Sequence, residues 1–210
     1  MKKAVIICML GILFFQYYPA KSKGENFPYS IGPFITLKGG VNAADVPQNF
    51  KNGFTMNGLP DFGASGFIPF GDKSQFGLDA DLGYSTYAFD IKSGQNFDAI
   101  STTQISYFTI SPNIFIYGFT AGLNFGIPLS GTVKSSTTET DIKTEDLSLF
   151  AEFRIGGDIP LYYDETGRLN LRIQFGYFLT GQSKENYNNT FNFHPASGAL
   201  GVSYLFNVSE

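Results

Sequence analysis

Four stretches of this chain alternate apolar and polar residues with a strict period of two, and that alternation limits what the chain can become. In Phe76 to Tyr84 the even positions are apolar and the odd ones are glycine or aspartate. Phe119 to Leu129 sets Phe119, Ala121, Leu123, Phe125, Ile127 and Leu129 against Thr120, Gly122, Asn124, Gly126 and Pro128. Leu147 to Ile159 sets Leu147, Leu149, Ala151, Phe153 and Ile155 against Ser148, Phe150, Glu152, Arg154 and Asp158. Leu169 to Leu179 sets Leu169, Leu171, Ile173, Phe175, Tyr177 and Leu179 against Asn170, Arg172, Gln174, Gly176 and Phe178. A helix would need apolar recurrence near 3.6, so these are β-strands with one oily face. Four further segments follow the same rule less cleanly: Tyr29 to Val41, Leu59 to Phe70, Thr103 to Ile116, and Gly198 to Phe206. The reading is all-β with eight strands.

The spacing between strands orders them. Tight turns are expected at Gly71 to Ser74, at Tyr117-Gly118 and at Tyr162 to Gly167. Long polar connections are expected at Asn42 to Gly58, Lys92 to Thr102, Lys134 to Asp146 and Ser183 to Pro195. Short and long connections alternate along the chain, as they do when one rim of an antiparallel up-and-down barrel carries turns and the other carries loops.

The choice of inward face decides between a soluble and a membrane barrel. A soluble eight-stranded barrel of lipocalin type holds its apolar face inside. Here the polar face is poor in lysine and glutamate and rich in glycine, with Gly77, Gly83, Gly122, Gly126, Gly156, Gly176 and Gly201. Glycine weakens an exposed strand but suits the crowded lumen of a small barrel. The oily face carries no charge in the four clearest strands, and strands of about ten residues match a tilted bilayer crossing. The expected fold is therefore an eight-stranded antiparallel up-and-down transmembrane β-barrel spanning residues 23–210.

The first 22 residues read as a leader. Lys2 and Lys3 precede the apolar run Ala4 to Phe15, and Ala20-Lys21-Ser22 offers a small-x-small cleavage site, with Ser22-Lys23-Gly24 as a second. Such a segment is a secretory signal peptide, too short to span as a helix. Cys8 lies inside the apolar run, so a lipoprotein anchor is not expected, and the chain beyond the leader has no cysteine.

Composition removes other classes of function. Charged residues make up 15% of the chain and aromatics 17%, the opposite of a disordered segment. A formal charge of −4 excludes the basic stripe that nucleic acid requires. One histidine and one cysteine leave no multi-ligand zinc site, and no cofactor is expected.

Lys38, Asp79, Asp81, Glu152, Arg154, Asp158 and Arg172 all share the inward parity. They are expected to form a lumenal ionic network, since buried charges must be paired and an eight-stranded lumen has room only for side chains. The turn Tyr162 to Gly167, with Leu161 or Tyr162 facing Arg168, sets Asp158 opposite Arg172. Asp79-Ala80-Asp81 by itself is weak ground for a divalent-cation site. His194 is the one residue that invites an enzyme reading, but only Glu210 and the terminus follow it as acids, and a solvated loop histidine is expected.

The Gly-rich alternating strands, the strand–turn–strand Ile105 to Ser130 and the terminal strand Gly198 to Phe206 together resemble the small eight-stranded outer-membrane proteins. The group is OmpA/OmpX-like, and within it the porin-family β-barrel domain common in Bacteroidota is the most similar. The resemblance implies a cell outer-membrane location, lipid and lipopolysaccharide as surroundings, and the barrel-assembly machinery as a partner in biogenesis. It also implies a monomer. It leaves open a structural or surface-interaction role, a small-solute channel, and a lipid-modifying enzyme.

The alternation of connections predicts where protease reaches. Trypsin added to intact cells is expected to cut at Lys51, Lys134, Lys143 or Lys184, in long polar segments, and to spare Lys73 and Arg168 in the turns. Cleavage confined to Lys73 and Arg168 would mean an inverted barrel.

Overall fold

The computed structural model describes residues 28–46, 48–70, 76–94, 99–135, 137–182, 184 and 193–208. The leader and the expected turn Gly71 to Ser74 lie outside them. Eight strands form the wall: β1 (Ser30–Asn42), β2 (Asp61–Pro69), β3 (Phe76–Ser93), β4 (Ala99–Ile116), β5 (Phe119–Ser135), β6 (Phe150–Tyr163), β7 (Gly167–Phe178) and β8 (Pro195–Asn207). Each pairs antiparallel with the next, and β8 pairs back onto β1 from Ser30↔Asn207 to Asn42↔Pro195. The ring is closed. Closure leaves no strand edge to be satisfied in lipid, where water cannot supply hydrogen bonds.

The side chains sort by parity around that ring. Outward positions include Ile31, Ile35 and Leu37 on β1, Ile110 and Ile114 on β4, Phe125 and Ile127 on β5, Phe175 and Tyr177 on β7, and Leu200 on β8, all exposed. This is an apolar belt facing away from the axis. Its lower edge carries Tyr29, Phe70, Phe76, Tyr117, Tyr162 and Phe206, each exposed, at the rim with the tight turns. An aromatic girdle at a membrane interface has this composition.

The tight turns are built by local chemistry. Tyr117 and Gly118 have φ of 49° and 85°, the two positive values that a type I′ hairpin requires. At the β6–β7 turn, Asp164 Oδ1 accepts from the Thr166 hydroxyl (2.6 Å), the Thr166 N–H (2.9 Å) and the Gly167 N–H (3.0 Å). These bonds, the Thr166 hydroxyl first, hold the Asp164 carboxyl below the usual carboxylate range. Arg168 faces Tyr163 rather than Leu161 or Tyr162, one step away from the expected pairing. A bulge between Leu169 and Asn170 absorbs the step, and Arg172 then stands opposite Asp158 as the turn predicts.

Two glycines show why the polar face tolerates little else. A Cβ on Gly126 would lie 2.0 Å from the Phe150 ring, and one on Gly176 would lie 1.8 Å from Glu152 Oε1. Large inward side chains of one strand cross the backbone of its neighbour at these points, so the neighbour carries glycine.

The structure corrects the loop reading at the outer rim. Asn42 to Gly58 is not all loop. Phe50–Gly53 pairs with β3 and Thr55–Met56 pairs with β1, so these two pieces fill the wall above β2. Asn57 bridges the break. Its side-chain carbonyl accepts from the Ala88 N–H (3.0 Å) and its amide donates to the Thr86 carbonyl, replacing a missing peptide group. Similarly, Glu139–Ile142 pairs with the top of β5, and a short 3₁₀ turn at Thr144–Asp146 returns the chain to β6. Leu147, assigned by alternation to the oily face, instead turns into the mouth of the barrel and is 3% exposed. Alternation fails there because β6 begins only at Phe150. For trypsin, Lys51 now lies inside a paired strand, so Lys143 is the better substrate.

Ile173 on β7 tests the outward assignment. Ile173→Arg places a charge in the belt and is expected to cost about 2–4 kcal/mol in urea unfolding from lipid vesicles, less towards an interface. A neutral result would mean that the faces are reversed.

Candidate functional site: the lumen

Four layers of side chains fill the barrel from the turn rim outward. At the bottom, Phe67, Phe115 and Leu205 pack together with Tyr163 against them, and the Arg168 guanidinium lies 4.4 Å from the Phe67 ring centroid. Above this sits Arg172, wholly buried, held by three carboxylates. Its Nε donates to Asp158 Oδ1 (2.9 Å), Nη1 to Asp81 Oδ1 (2.9 Å) and Nη2 to Asp79 Oδ2 (3.0 Å). The Ser65 hydroxyl donates to Asp81 (2.5 Å). Asp79 and Asp81 come from β3, Asp158 from β6 and Arg172 from β7, so this one guanidinium ties opposite walls of the barrel.

The third layer has two linked parts. Glu152 accepts from Arg154 Nη2 (3.0 Å), the Tyr87 hydroxyl (2.6 Å), Asn124 Nδ2 (2.7 Å) and the Ser197 hydroxyl (3.1 Å). Arg154 Nη1 donates to the Ser111 hydroxyl (3.1 Å). Beside it, Lys38 pairs with Asp61 (2.5 Å) and donates to Ser85, and its ammonium sits 3.6 Å from the centroid of the Tyr87 ring. Tyr87 thus joins both parts. Its ring also enters the fourth layer, where it meets Ile105, Tyr107, Phe150 and Phe178 under a cover of Ile142 and Leu147. Phe150 and Phe178 stack with centroids 4.2 Å apart.

All seven inward-parity residues singled out above are buried in the lumen: Lys38, Asp79, Asp81, Glu152, Arg154, Asp158 and Arg172. The structure divides them among three centres. Asp79, Asp81 and Asp158 gather on Arg172, Glu152 joins Arg154, and Lys38 joins Asp61. Asp61 and Arg168 escape the sequence reading, although both are buried. Asp61 lies four residues before Ser65 on the polar parity of a weakly patterned strand, so the signal was present but faint. Arg168 starts β7 at the turn, where the bulge obscures parity. Asp79 and Asp81 both point at an arginine, which occupies the place a divalent cation would need.

His194 lies at the outer rim. Its Nδ1 is 3.3 Å from the Phe178 carbonyl, and its backbone N–H donates to Asn42 Oδ1 (3.1 Å). Neither contact supplies the hydroxyl and carboxylate that general-base chemistry requires.

An apolar outer belt around a polar, charge-paired lumen inverts the pattern of a soluble barrel. The fold is that of a small eight-stranded outer-membrane barrel. Closed barrels of this kind belong to outer membranes, and the chain resides there. No family model and no curated protein matches it. Among solved structures it is similar to Ail, the attachment invasion locus protein of Yersinia pestis, at 10% identity and a TM-score of 0.41, over 85% of this chain and 97% of that one. It is similar also to the outer membrane protein AlkL, at 15% identity and a TM-score of 0.41, over 92% and 97%. OprG from Pseudomonas aeruginosa gives 10% identity and a TM-score of 0.34, over 87% and 95%.

Removing Arg172 leaves three carboxylates facing one another in a confined space. Arg172→Leu is expected to destabilise the barrel by about 3–5 kcal/mol, less where water enters. Neutralising Asp158 in that background recovers little, because Asp79 and Asp81 remain adjacent. Asp79→Asn with Asp81→Asn recovers more. Urea titration of the four variants in vesicles measures the order, and a stabilising Arg172→Leu would contradict it.

Proposed function

We propose that this protein is a monomeric, non-enzymatic outer-membrane barrel whose lumen is a structural plug and whose work is done by its outer rim. The observation that carries this reading is the continuous filling of the lumen. Arg172 has no exposed surface, Glu152 has none, and apolar layers lie beyond both ionic layers. A solute would have to displace a guanidinium from three carboxylates and then part a stack of four aromatic rings. Closure of the ring removes any edge that would drive pairing with a second copy in the membrane. The terminal strand β8, with Leu200, Val202 and Phe206 facing out, is suited to recognition by the barrel-assembly machinery during insertion.

The rim supports a role in membrane architecture or contact with partners. β3, β4 and β5 are 18, 18 and 17 residues long, well beyond what a tilted crossing needs. Their upper parts, with Phe50–Gly53 and Glu139–Ile142 at either side, extend the wall above the belt as a paired sheet. This is an ordered platform rather than a set of loose loops.

Planar-bilayer recording separates the plug from the small-solute channel. The purified protein is expected to give no stepwise conductance, whereas Arg172→Ala combined with Phe178→Ala, if it inserts, is expected to give some. Steps from the unaltered protein would establish the channel instead.

A further inference from the structure

We infer that Lys51 and Lys92 form a binding site for a phosphate on the headgroup of an outer-leaflet glycolipid. The inference rests on the outer-membrane reading above. Lys51 and Lys92 are direct cross-strand partners in the antiparallel pairing of Phe50–Gly53 with β3, so both side chains leave the same face of the wall. That face is the outward one. Ile91, the neighbour of Lys92, is buried on the lumenal side, and inward parity on β3 runs through Asp79, Asp81, Tyr87 and Phe89. Like charges directly opposite each other on one face of a sheet repel unless an anion lies between them.

The position fits a lipid headgroup. Phe54, Met56 and Leu37 are 58%, 55% and 62% exposed, and they carry the apolar surface of the belt to within three residues of Lys51. The stem of Lys92 turns down towards that surface. A Cβ on Gly53 would lie 2.4 Å from Lys92 Cε, so the aliphatic chain crosses Gly53, whose partner Asp90 is two residues nearer the membrane. Long cationic side chains adopt this course when the stem rests on apolar surface and the ammonium meets the headgroup layer. Asp90, the one carboxylate beside them on this face, accepts from the Thr102 hydroxyl at 2.7 Å. The glycine is part of the device: it gives the lysine a path across the sheet.

The test uses the full-length barrel in phosphatidylcholine nanodiscs, titrated with rough lipopolysaccharide either intact or chemically stripped of phosphate, with native mass spectrometry reading the bound glycolipid. The unaltered protein is expected to retain intact glycolipid about tenfold better than the stripped form, the scale of one to two charge-assisted hydrogen bonds. Lys51→Gln with Lys92→Gln should abolish that preference, Lys51→Arg with Lys92→Arg should keep it, and Gly53→Val should weaken it with both charges in place. Lys134→Gln with Lys143→Gln should leave it unchanged. Equal binding of both glycolipids, equal loss in the Lys134/Lys143 variant, or full displacement by millimolar inorganic phosphate would overturn the site. A heat-dependent shift in gel mobility reports the folded barrel separately. An unaltered protein that lacks the shift would overturn the membrane reading itself, and the site with it.

Discussion

One guanidinium organises the interior of this barrel. Arg172 on β7 spends all three of its nitrogens on carboxylates from β3 and β6, strands on different sides of the lumen. A closed sheet fixes its neighbours by backbone hydrogen bonds but says nothing about how its far walls relate. The fork of an arginine is planar and multivalent, so it sets those walls at a defined distance and orientation. Desolvating such a group is costly, and only the full complement of partners offsets it. The other inward features follow from the space this leaves: Ser65 beneath the aspartates, Phe34 beside the guanidinium at 5.4 Å, and aromatic caps where the charges end.

Glycine and aromatic residues are two sides of one packing problem. A narrow lumen must be filled without voids, and Phe150 and Glu152 fill it by lying across the neighbouring strands. Their reach requires Gly126 and Gly176 beneath them. The high glycine content and the high aromatic content of the chain therefore have the same cause. Tyr87 couples the two kinds of layer, with its hydroxyl in the ionic network around Glu152 and its ring in the aromatic cap. Such a joint keeps the polar and apolar layers in one register along the axis.

Above the belt the barrel uses different means. The wall continues as paired strands, and where a strand breaks, Asn57 supplies a side-chain amide for the absent peptide. Ser148 N–H donates to the Gln182 carbonyl and Lys184 N–H to the Asp146 carbonyl, so two connections lie together over the mouth. The order at this rim is what makes the extended wall a surface on which fixed side chains such as Lys51 and Lys92 act together.

Local pattern alone determined a great deal. Period-two alternation in Phe119 to Leu129 and Leu169 to Leu179 gave strands, their oily sides gave the outward face, and the six-residue span Tyr162 to Gly167 set Asp158 against Arg172. These are consequences of pleat geometry and turn length, which are properties of neighbouring residues. Tertiary structure decided what depends on closure. That Arg172 takes Asp79 and Asp81 as well as Asp158 requires β3 to curve round to face β7, and no spacing along the chain encodes that approach. Lys38 finds Asp61 because β2 lies beside β1 only up to Thr36, leaving the carboxylate at the strand's end within reach. Leu147 and Ile142 read as ordinary apolar residues and become the cover of the aromatic cap because their connection folds back over the mouth. The alternation of a strand is written in the strand; the meeting of charges across a lumen is written only in the ring.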